Sequence, residues 1–433
     1  MYLSSLELWR TYWECVSRPY TVLVCSLTAA LYYLWGRQCQ KPALICSNAF
    51  SVFLHKHCPV VAERFSPTPW CWGGRLQTLV CALLKTRPPV TYRNELLRTV
   101  DGGQISLDWV DNESSVTHPD SSTRPTVLIL PGLTGNSQQS YVLHAVRQAT
   151  RHGYRCVVFN NRGVGGEELL TPVTYCAANT SDLEWVMRHV KGLYPHAPVL
   201  GAGVSLGGMI LLNYLARKRT ESGMVAGITI SVAWDAQKSS ESMEEPLNRL
   251  LFNKHLTRGL CRTVTRHRKI LEKVVDIDYV LKARTIREFD ERFTSLLFGY
   301  KSCIDYYRDA SPGSKLPHTA VPILCLNASD DPFSPQHAFP VSIVQSLPHV
   351  ALLLTAHGGH IAFLQEGFKF PHPIPRPSLS SMLFPPGVMG GASGLWVNDS
   401  TPQLLFDRYG KRRDEERPRA GRREAQVRHF KVS

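Results

Sequence analysis

A serine lies between two glycines in the stretch Gly203-Val204-Ser205-Leu206-Gly207, where an apolar run meets a helical pattern. Glycine permits a tight turn that other side chains would obstruct, and the start of a helix favours developing negative charge. A strand, a Gly-x-Ser-x-Gly turn and a helix together predict an exposed nucleophilic serine. The five residues alone also fit an ordinary Gly-rich turn, so the hypothesis depends on whether later segments supply a base and an acid.

Candidate bases and acids follow later predicted strands. His357 and His360 lie in "VALLLTAHGGHIAFL", and we favour His360 because the two glycines before it free the chain to turn. Asp330 and Asp331 follow "PILCLN" as the acids that would hold the imidazole, and the residues leave the choice between them open. The order Ser, Asp, His, with each residue at the carboxyl end of a predicted strand, is the order of α/β-hydrolases.

Two backbone amides are candidates for stabilising an oxyanion. One belongs to Leu206, which directly follows the serine. The other is expected in the "PGLTG" loop after an earlier strand, and we assign it to Leu133. With these donors, Ser205 would form an acyl-enzyme that water then cleaves.

The elements around these residues alternate between strands and helices. Short apolar strands are predicted in "QISLDWV", "TVLIL", "RCVVFN", "VLGAGV", "GITISVAW", "PILCLN" and "VALLLTA", with helices over 140–153, 179–193 and 209–218. This pattern predicts an α/β fold with a mostly parallel sheet and helices on both faces. A helical cap is expected over 235–320. It contains a basic amphipathic stretch at 255–274, which fits either a lipid surface or a solvated helix packed on the domain.

One segment near the N-terminus is a candidate membrane anchor. Residues 20–36 carry no charge and end in aromatic residues, which suits a short span with an interfacial end. Because Arg37 and Lys41 follow without a small-residue cleavage site, we expect an uncleaved anchor. The alternative is a buried core helix. Residues 37–98 contain no motif that we could assign.

The composition limits the partners. The chain has 433 residues and a net charge of +14, so acidic partners and membrane surfaces are both considered. The twelve cysteines include no CxxC pair. We expect no metal, no cofactor and no nucleic acid, and the oligomeric state stays open. Asn-x-Ser sequons occur at Asn112, Asn179, Asn327 and Asn398.

Several motifs together resemble the membrane-anchored AB hydrolase 4 family: "LPGLTG", "VVFNNRG", "GVSLGG", "FDERFTS", "DDPFSP" and "GGHIAFL". The resemblance covers residues 43 to 364. It implies a triad of Ser205, Asp331 and His360, a single-pass type II anchor in an endomembrane, and a lumenal or extracellular catalytic domain. It also implies phospholipase cleavage of phosphatidylcholine acyl esters, with medium-length or oxidatively truncated chains preferred.

The resemblance ends before the C-terminus. Prolines at 371, 373, 375 and 377 replace the helix expected after the histidine, and a basic tail follows. The predicted organisation is therefore an N-terminal segment (1–19), an anchor (20–36), a pre-domain region (37–98), a hydrolase domain (99–364) and an atypical disordered tail (365–433). Without the expected final helix, the sequence does not predict how His360 is held in position. The alternatives to hydrolysis are acyl transfer to an alcohol and a catalytically dead interaction protein.

Overall fold

A nine-stranded sheet forms the centre of the computed structural model, which describes residues 20–34, 36, 39–71, 73–84 and 87–364. Among these residues the strand order is β1-β9-β8-β7-β6-β4-β5-β3-β2. The predicted segments 1–19 and 365–433 lie outside the described residues. The strands are β1 (Ala43–Cys46), β2 (Arg93–Arg98), β3 (Gln104–Val110), β4 (Thr126–Leu130), β5 (Arg155–Asn160), β6 (Val199–Val204), β7 (Ala226–Ile230), β8 (Ile323–Ala328) and β9 (Val350–Thr355).

The middle of the sheet is parallel and its edges are antiparallel. Strands β5, β4, β6, β7, β8 and β9 pair in parallel, whereas β3 with β5, β2 with β3 and β1 with β9 are antiparallel. Alternate side chains of β4 enter different cores: Leu128 and Leu130 enter one, and Val127 and Ile129 enter the other. Burial on both sides explains why the parallel strands are unbroken apolar runs. The predicted α/β-hydrolase fold is confirmed.

Helices flank the sheet and connect its strands. They are α1 (Asn48–His57), α2 (Gly74–Leu83), α3 (Ser140–Arg151), α4 (Ser181–Leu193) and α5 (Leu206–Lys218), and later α6 (Ala236–Glu244), α7 (Lys254–Arg266), α8 (Cys303–Ala310) and α9 (Val341–Ser346). Each of the three predicted helices is present as α3, α4 or α5.

The long interval between β7 and β8 is helical. Besides α6, α7 and α8, it contains short segments at Pro246–Asn248, Arg249–Asn253, Arg268–Leu271, Ile277–Val280, Ile286–Phe289, Asp290–Thr294 and Ser295–Leu297. Its own apolar cluster includes Leu260, Val264 and Phe293. Leu256, which the sequence pattern placed in line with Leu260 and Val264, is only partly buried. The insertion therefore packs through one face of α7.

The region before residue 99 contributes to the same sheet. Strand β1 pairs with β9 at one edge, and β2 pairs with β3 at the other. Helix α2 contacts the loop that follows β9. The domain boundaries stay a prediction, but the sheet extends beyond the expected start at residue 99.

The expected anchor is only partly described. Residues 20–34 are helical and exposed. Within the described part of the chain, no helix combines the length and the apolar character that crossing a membrane requires.

Candidate active site

Ser205 occupies the sharp turn between β6 and α5. Its backbone has φ 53° and ψ −117°, a conformation that a side-chain-bearing residue adopts only under constraint. A Cβ at Gly207 would lie 2.1 Å from the carbonyl oxygen of Leu130, and one at Gly203 would lie 2.6 Å from the carbonyl oxygen of Gly207. Both glycines are thus needed for close backbone approach, which decides against an ordinary Gly-rich turn.

His360 and Asp331 complete a chain of contacts from the serine hydroxyl. Nε2 of His360 lies 2.9 Å from Oγ of Ser205, and Nδ1 lies 2.9 Å from Oδ2 of Asp331. The Asp331 side chain is 0% exposed and that of His360 is 8% exposed. Phe333 stacks on the imidazole with ring centroids 4.1 Å apart. A buried carboxylate, an oriented imidazole and a hydroxyl in this order can activate the hydroxyl as a nucleophile.

The neighbouring residues form a second, separate pair. Oδ2 of Asp330 lies 3.0 Å from Nδ1 of His357, and Oδ1 of Asp330 accepts the N–H of Gly359 at 2.9 Å. These contacts tie the loop after β9 to the loop after β8. The structure therefore brings Asp331 and His360 to Ser205. Asp330 and His357 instead stabilise the loop after β9.

Helix α2 supports the loop that contains His360. The hydroxyl of Thr78 accepts the backbone N–H of His360 at 2.8 Å and donates to the carbonyl of Gly74 at 2.7 Å. A Cβ at Gly74 would lie 2.1 Å from the carbonyl oxygen of Asp330, so the helix packs directly on the acid loop. Sequence analysis missed these residues. Their only local signal is a glycine and a threonine four positions apart on one helical face.

Two tyrosines hold the loop after β4. The Tyr141 hydroxyl accepts the N–H of Gly132 at 2.9 Å, and the Tyr175 hydroxyl accepts the N–H of Thr134 at 3.2 Å. Burial raises the pKa of each tyrosine to about 12, so both hydroxyls remain protonated at neutral pH. The amide of Leu133, between the two held positions, has no acceptor among the described residues, and neither has that of Leu206. Both residues line the cavity at Ser205, as an oxyanion site requires.

A mainly apolar cavity opens beside these groups. It has a volume of about 170 Å³ and is lined by Ser205 and His360 at the reacting end. Met209 from α5 and Leu260, Val264 and Phe293 from the insertion form part of its wall. Such a cavity fits a hydrocarbon chain, because burying apolar surface is favourable and the wall offers few polar partners.

One carboxyl group is enclosed in the cavity wall without a counter-ion. Asp290 accepts hydrogen bonds from the hydroxyls of Thr294 at 2.7 Å and Tyr307 at 3.1 Å, and it forms no ion pair with any described residue. Burial raises its pKa from the ordinary value of 3.8 to about 6, and the two hydroxyls partly oppose that rise. Sequence analysis did not single out this residue, because its burial depends on the packing of the insertion.

The topology, the strained serine turn and the order of the three side chains define an α/β hydrolase. A family model described as the alpha/beta hydrolase fold matches residues 125–367. The chain belongs to this family, which confirms the resemblance drawn from its motifs.

Similar curated proteins cover most of the chain. It is 55% identical over 345 residues to "Phospholipase ABHD3" of Homo sapiens, covering 79% of this chain and 84% of that protein. It is 36% identical over 314 residues to "Protein abhd-3.2" of Caenorhabditis elegans, covering 72% and 82%. A solved esterase of Pyrococcus furiosus, Pf2001, is similar at 14% identity and a TM-score of 0.41 over 64% of this chain and 90% of that one. That last likeness is too distant for any argument about function.

Proposed function

We propose that this protein is a phospholipase that hydrolyses the acyl ester bonds of phosphatidylcholines, with medium-length or oxidatively truncated chains preferred. The observation that supports it most is the 2.9 Å contact between Nε2 of His360 and Oγ of Ser205 at the end of an apolar cavity. A relative that is 55% identical to this chain is named "Phospholipase ABHD3", which supports the substrate class.

The first step transfers the acyl group to the enzyme. Oγ of Ser205 attacks the ester carbonyl while Nε2 of His360 takes its proton, and Asp331 stabilises the imidazolium through Nδ1–H. The N–H groups of Leu133 and Leu206 bind the oxygen that gains negative charge, each contributing about 3 kcal/mol. The tetrahedral intermediate then collapses. His360 gives its proton to the leaving alcohol oxygen of the lysophospholipid, and the acyl chain stays on Ser205 as an ester.

The second step returns the enzyme to its starting state. Water attacks the acyl-enzyme carbonyl and gives its proton to Nε2 of His360, and the same two amides hold the oxyanion. Collapse returns the proton to Oγ and releases the fatty acid. The buried carboxylate of Asp331 holds the neutral imidazole of His360 in one tautomer. Because Nδ1–H donates to this carboxylate, Nε2 is the nitrogen that accepts a proton.

The proposal includes a membrane location. Residues 20–36 would form a single-pass type II anchor in the endoplasmic reticulum or another endomembrane, with the hydrolase domain in the lumen. Uncharged composition and terminal aromatics support it. A glycosidase-sensitive shift in mobility would support lumenal placement. Asn112, Asn179 and Asn398 are the sequons to test, since Asn327 is 0% exposed.

The test is the variant Ser205→Ala in the full chain. It should abolish both phosphatidylcholine hydrolysis and covalent labelling by a fluorophosphonate, since neither reaction proceeds without Oγ. Unchanged labelling in the variant would refute the role of Ser205. Wild-type protein that neither labels nor hydrolyses would favour the catalytically dead interaction protein.

Product analysis separates hydrolysis from acyl transfer. Both share the acyl-enzyme, so the wild-type protein is given phosphatidylcholine with and without ethanol. Free fatty acid as the main product in both cases supports hydrolysis. Predominant ethyl ester would assign the protein to alcohol acyl transfer instead.

A further inference from the structure

Helix α7 presents a row of cations to the outside. Lys254, Arg258, Arg262 and Arg266 recur every four residues, and all four are exposed. Side chains four apart lie along one face of a helix, one turn above another. These four residues are called the basic stripe below.

The basic stripe has no acidic partner in the part of the chain that the structure describes. None of its members forms a salt bridge with any described residue, and α7 itself contains no Asp or Glu. Some other arginines of the insertion do have acidic partners: Arg268 pairs with Asp278, and Arg308 pairs with Asp305. The insertion therefore has acids, but they are placed away from the stripe.

The spacing of the stripe destabilises the helix. Like charges at i and i+4 repel each other, and three such pairs follow one another here. A helix that is merely solvated would relieve this repulsion with acidic residues between the cations. The described residues do not compensate this repulsion, which points to a negatively charged partner.

The opposite face of the same helix covers the active-site cavity. Leu260 and Val264 are buried and line the cavity that contains Ser205. The basic stripe therefore lies on the outer face of the helix that covers the nucleophile. A negatively charged surface that binds the stripe would lie directly above the site.

We propose that the basic stripe binds the anionic headgroups of a phospholipid bilayer. Each Lys or Arg near such a surface favours contact about fivefold at ordinary ionic strength. A single-stranded nucleic acid is the weaker fit, because α7 contains no Phe, Tyr or Trp side chain on which bases could stack. The choice of a lipid over an acidic protein rests on the proposed lipid esterase function, but binding itself needs no turnover.

Hydrogen exchange of the full chain tests this contact. The protein is reconstituted into nanodiscs of phosphatidylcholine alone, or with about one fifth phosphatidylserine. Exchange in the peptides of α7 should slow only in the anionic discs, and the protection should disappear at about 0.5 M salt, where screening is strong. Because the experiment measures no reaction, the hydrogen-exchange result can be interpreted even if the protein does not hydrolyse phospholipids.

A matched pair of variants supplies the control. Arg258→Gln with Arg262→Gln removes two stripe cations and should weaken the protection by up to roughly 25-fold, as two factors of about five. Arg147→Gln with Arg151→Gln removes two exposed cations of the same spacing on α3 and should change nothing. Fluorophosphonate labelling should be unaffected in both, which shows that the site is intact.

Three results would overturn the proposal. Exchange of α7 that is equal in the two kinds of disc would show that anionic lipid does not bind there. Equal protection in the stripe variant and the wild type would show that other residues make the contact. Protection by an oligonucleotide or an acidic peptide, but not by the anionic discs, would assign the basic stripe to a different class of partner.

Discussion

Removing one hydroxyl from α2 should disturb catalysis through the backbone of the histidine loop. Thr78 accepts the N–H of His360 at 2.8 Å, although 282 positions separate the two residues. The variant Thr78→Val keeps the shape of the side chain and removes the acceptor. The N–H of His360 then has no partner in a place that solvent reaches poorly, since Thr78 is 9% exposed.

The expected magnitude follows from that lost bond. Leaving one buried donor unsatisfied costs about 1 to 3 kcal/mol, which is the expected loss in the free energy of unfolding. The loop can avoid part of this cost by shifting, and a shift of about 1 Å between reacting groups can lower a rate roughly 100-fold. We therefore expect fluorophosphonate labelling of Ser205 to slow by about 10- to 100-fold.

Labelling rate and unfolding are measured together for Thr78→Val and Thr78→Ser. Serine restores the hydroxyl, so this variant should regain most of the labelling rate. A purely structural role would lower stability in the valine variant without slowing the labelling of the folded fraction. The reasoning fails if valine labels as fast as the wild type, or if serine labels as slowly as valine.

Three further substitutions test groups near the site. Because burial raises the pKa of Asp290 to about 6, the folded state holds its proton where the unfolded state does not, so the contribution of Asp290 to the free energy of unfolding should fall as pH rises from about 4 to about 6. Asp290→Asn lacks this loss, and its stability relative to wild type in urea unfolding should rise over that range by roughly 3 kcal/mol; a pH-independent difference would contradict the argument. Asp331→Asn should slow labelling by about 10³- to 10⁴-fold, since the imidazole loses the partner that fixes its tautomer. Asp330→Asn should cost less than about tenfold in rate, because the hydrogen-bond partners of its carboxylate among the described residues are His357 and Gly359, not His360. Equal losses in the two variants would show that the pairs are not separate.

Much of the central sheet could be predicted from the sequence because burial on both faces leaves a strong local mark. Strands such as "TVLIL" and "RCVVFN" are unbroken apolar runs, and both are buried along their whole length. The edge strands leave a weaker mark. Strand β1 has only four residues, and β2, "RNELLR", is largely exposed with only two partly buried positions. Neither could be separated from loop by composition.

The positions of site residues that directly follow strands could be predicted from the sequence. The sequence left alternatives where the direction of a turn decides which of two neighbouring side chains faces the serine. Asp330 and Asp331 are adjacent, so sequence position could not tell which carboxylate faces the serine. In the structure, successive side chains contact different histidines. Thr78 could not be found at all, because the partner that gives it a role is distant in the chain and no local pattern encodes that contact.

The hydrogen bonds of the described residues explain how His360 is held. Three backbone N–H groups of the histidine loop donate to side chains from elsewhere in the chain. Thr78 accepts the N–H of His360, Ser231 accepts that of Ile361, and Gln77 accepts that of Leu364. All three acceptors precede residue 365 in the chain, and two lie on α2. Two backbone hydrogen bonds also hold the loop: the N–H of Phe363 donates to the carbonyl of Gly358, and the N–H of Thr68 donates to that of Leu364. Because side-chain acceptors hold three of its amides, the loop should respond to single substitutions in those acceptors before the sheet does. The position of the base therefore depends on α2 as directly as on the strand that leads into the loop.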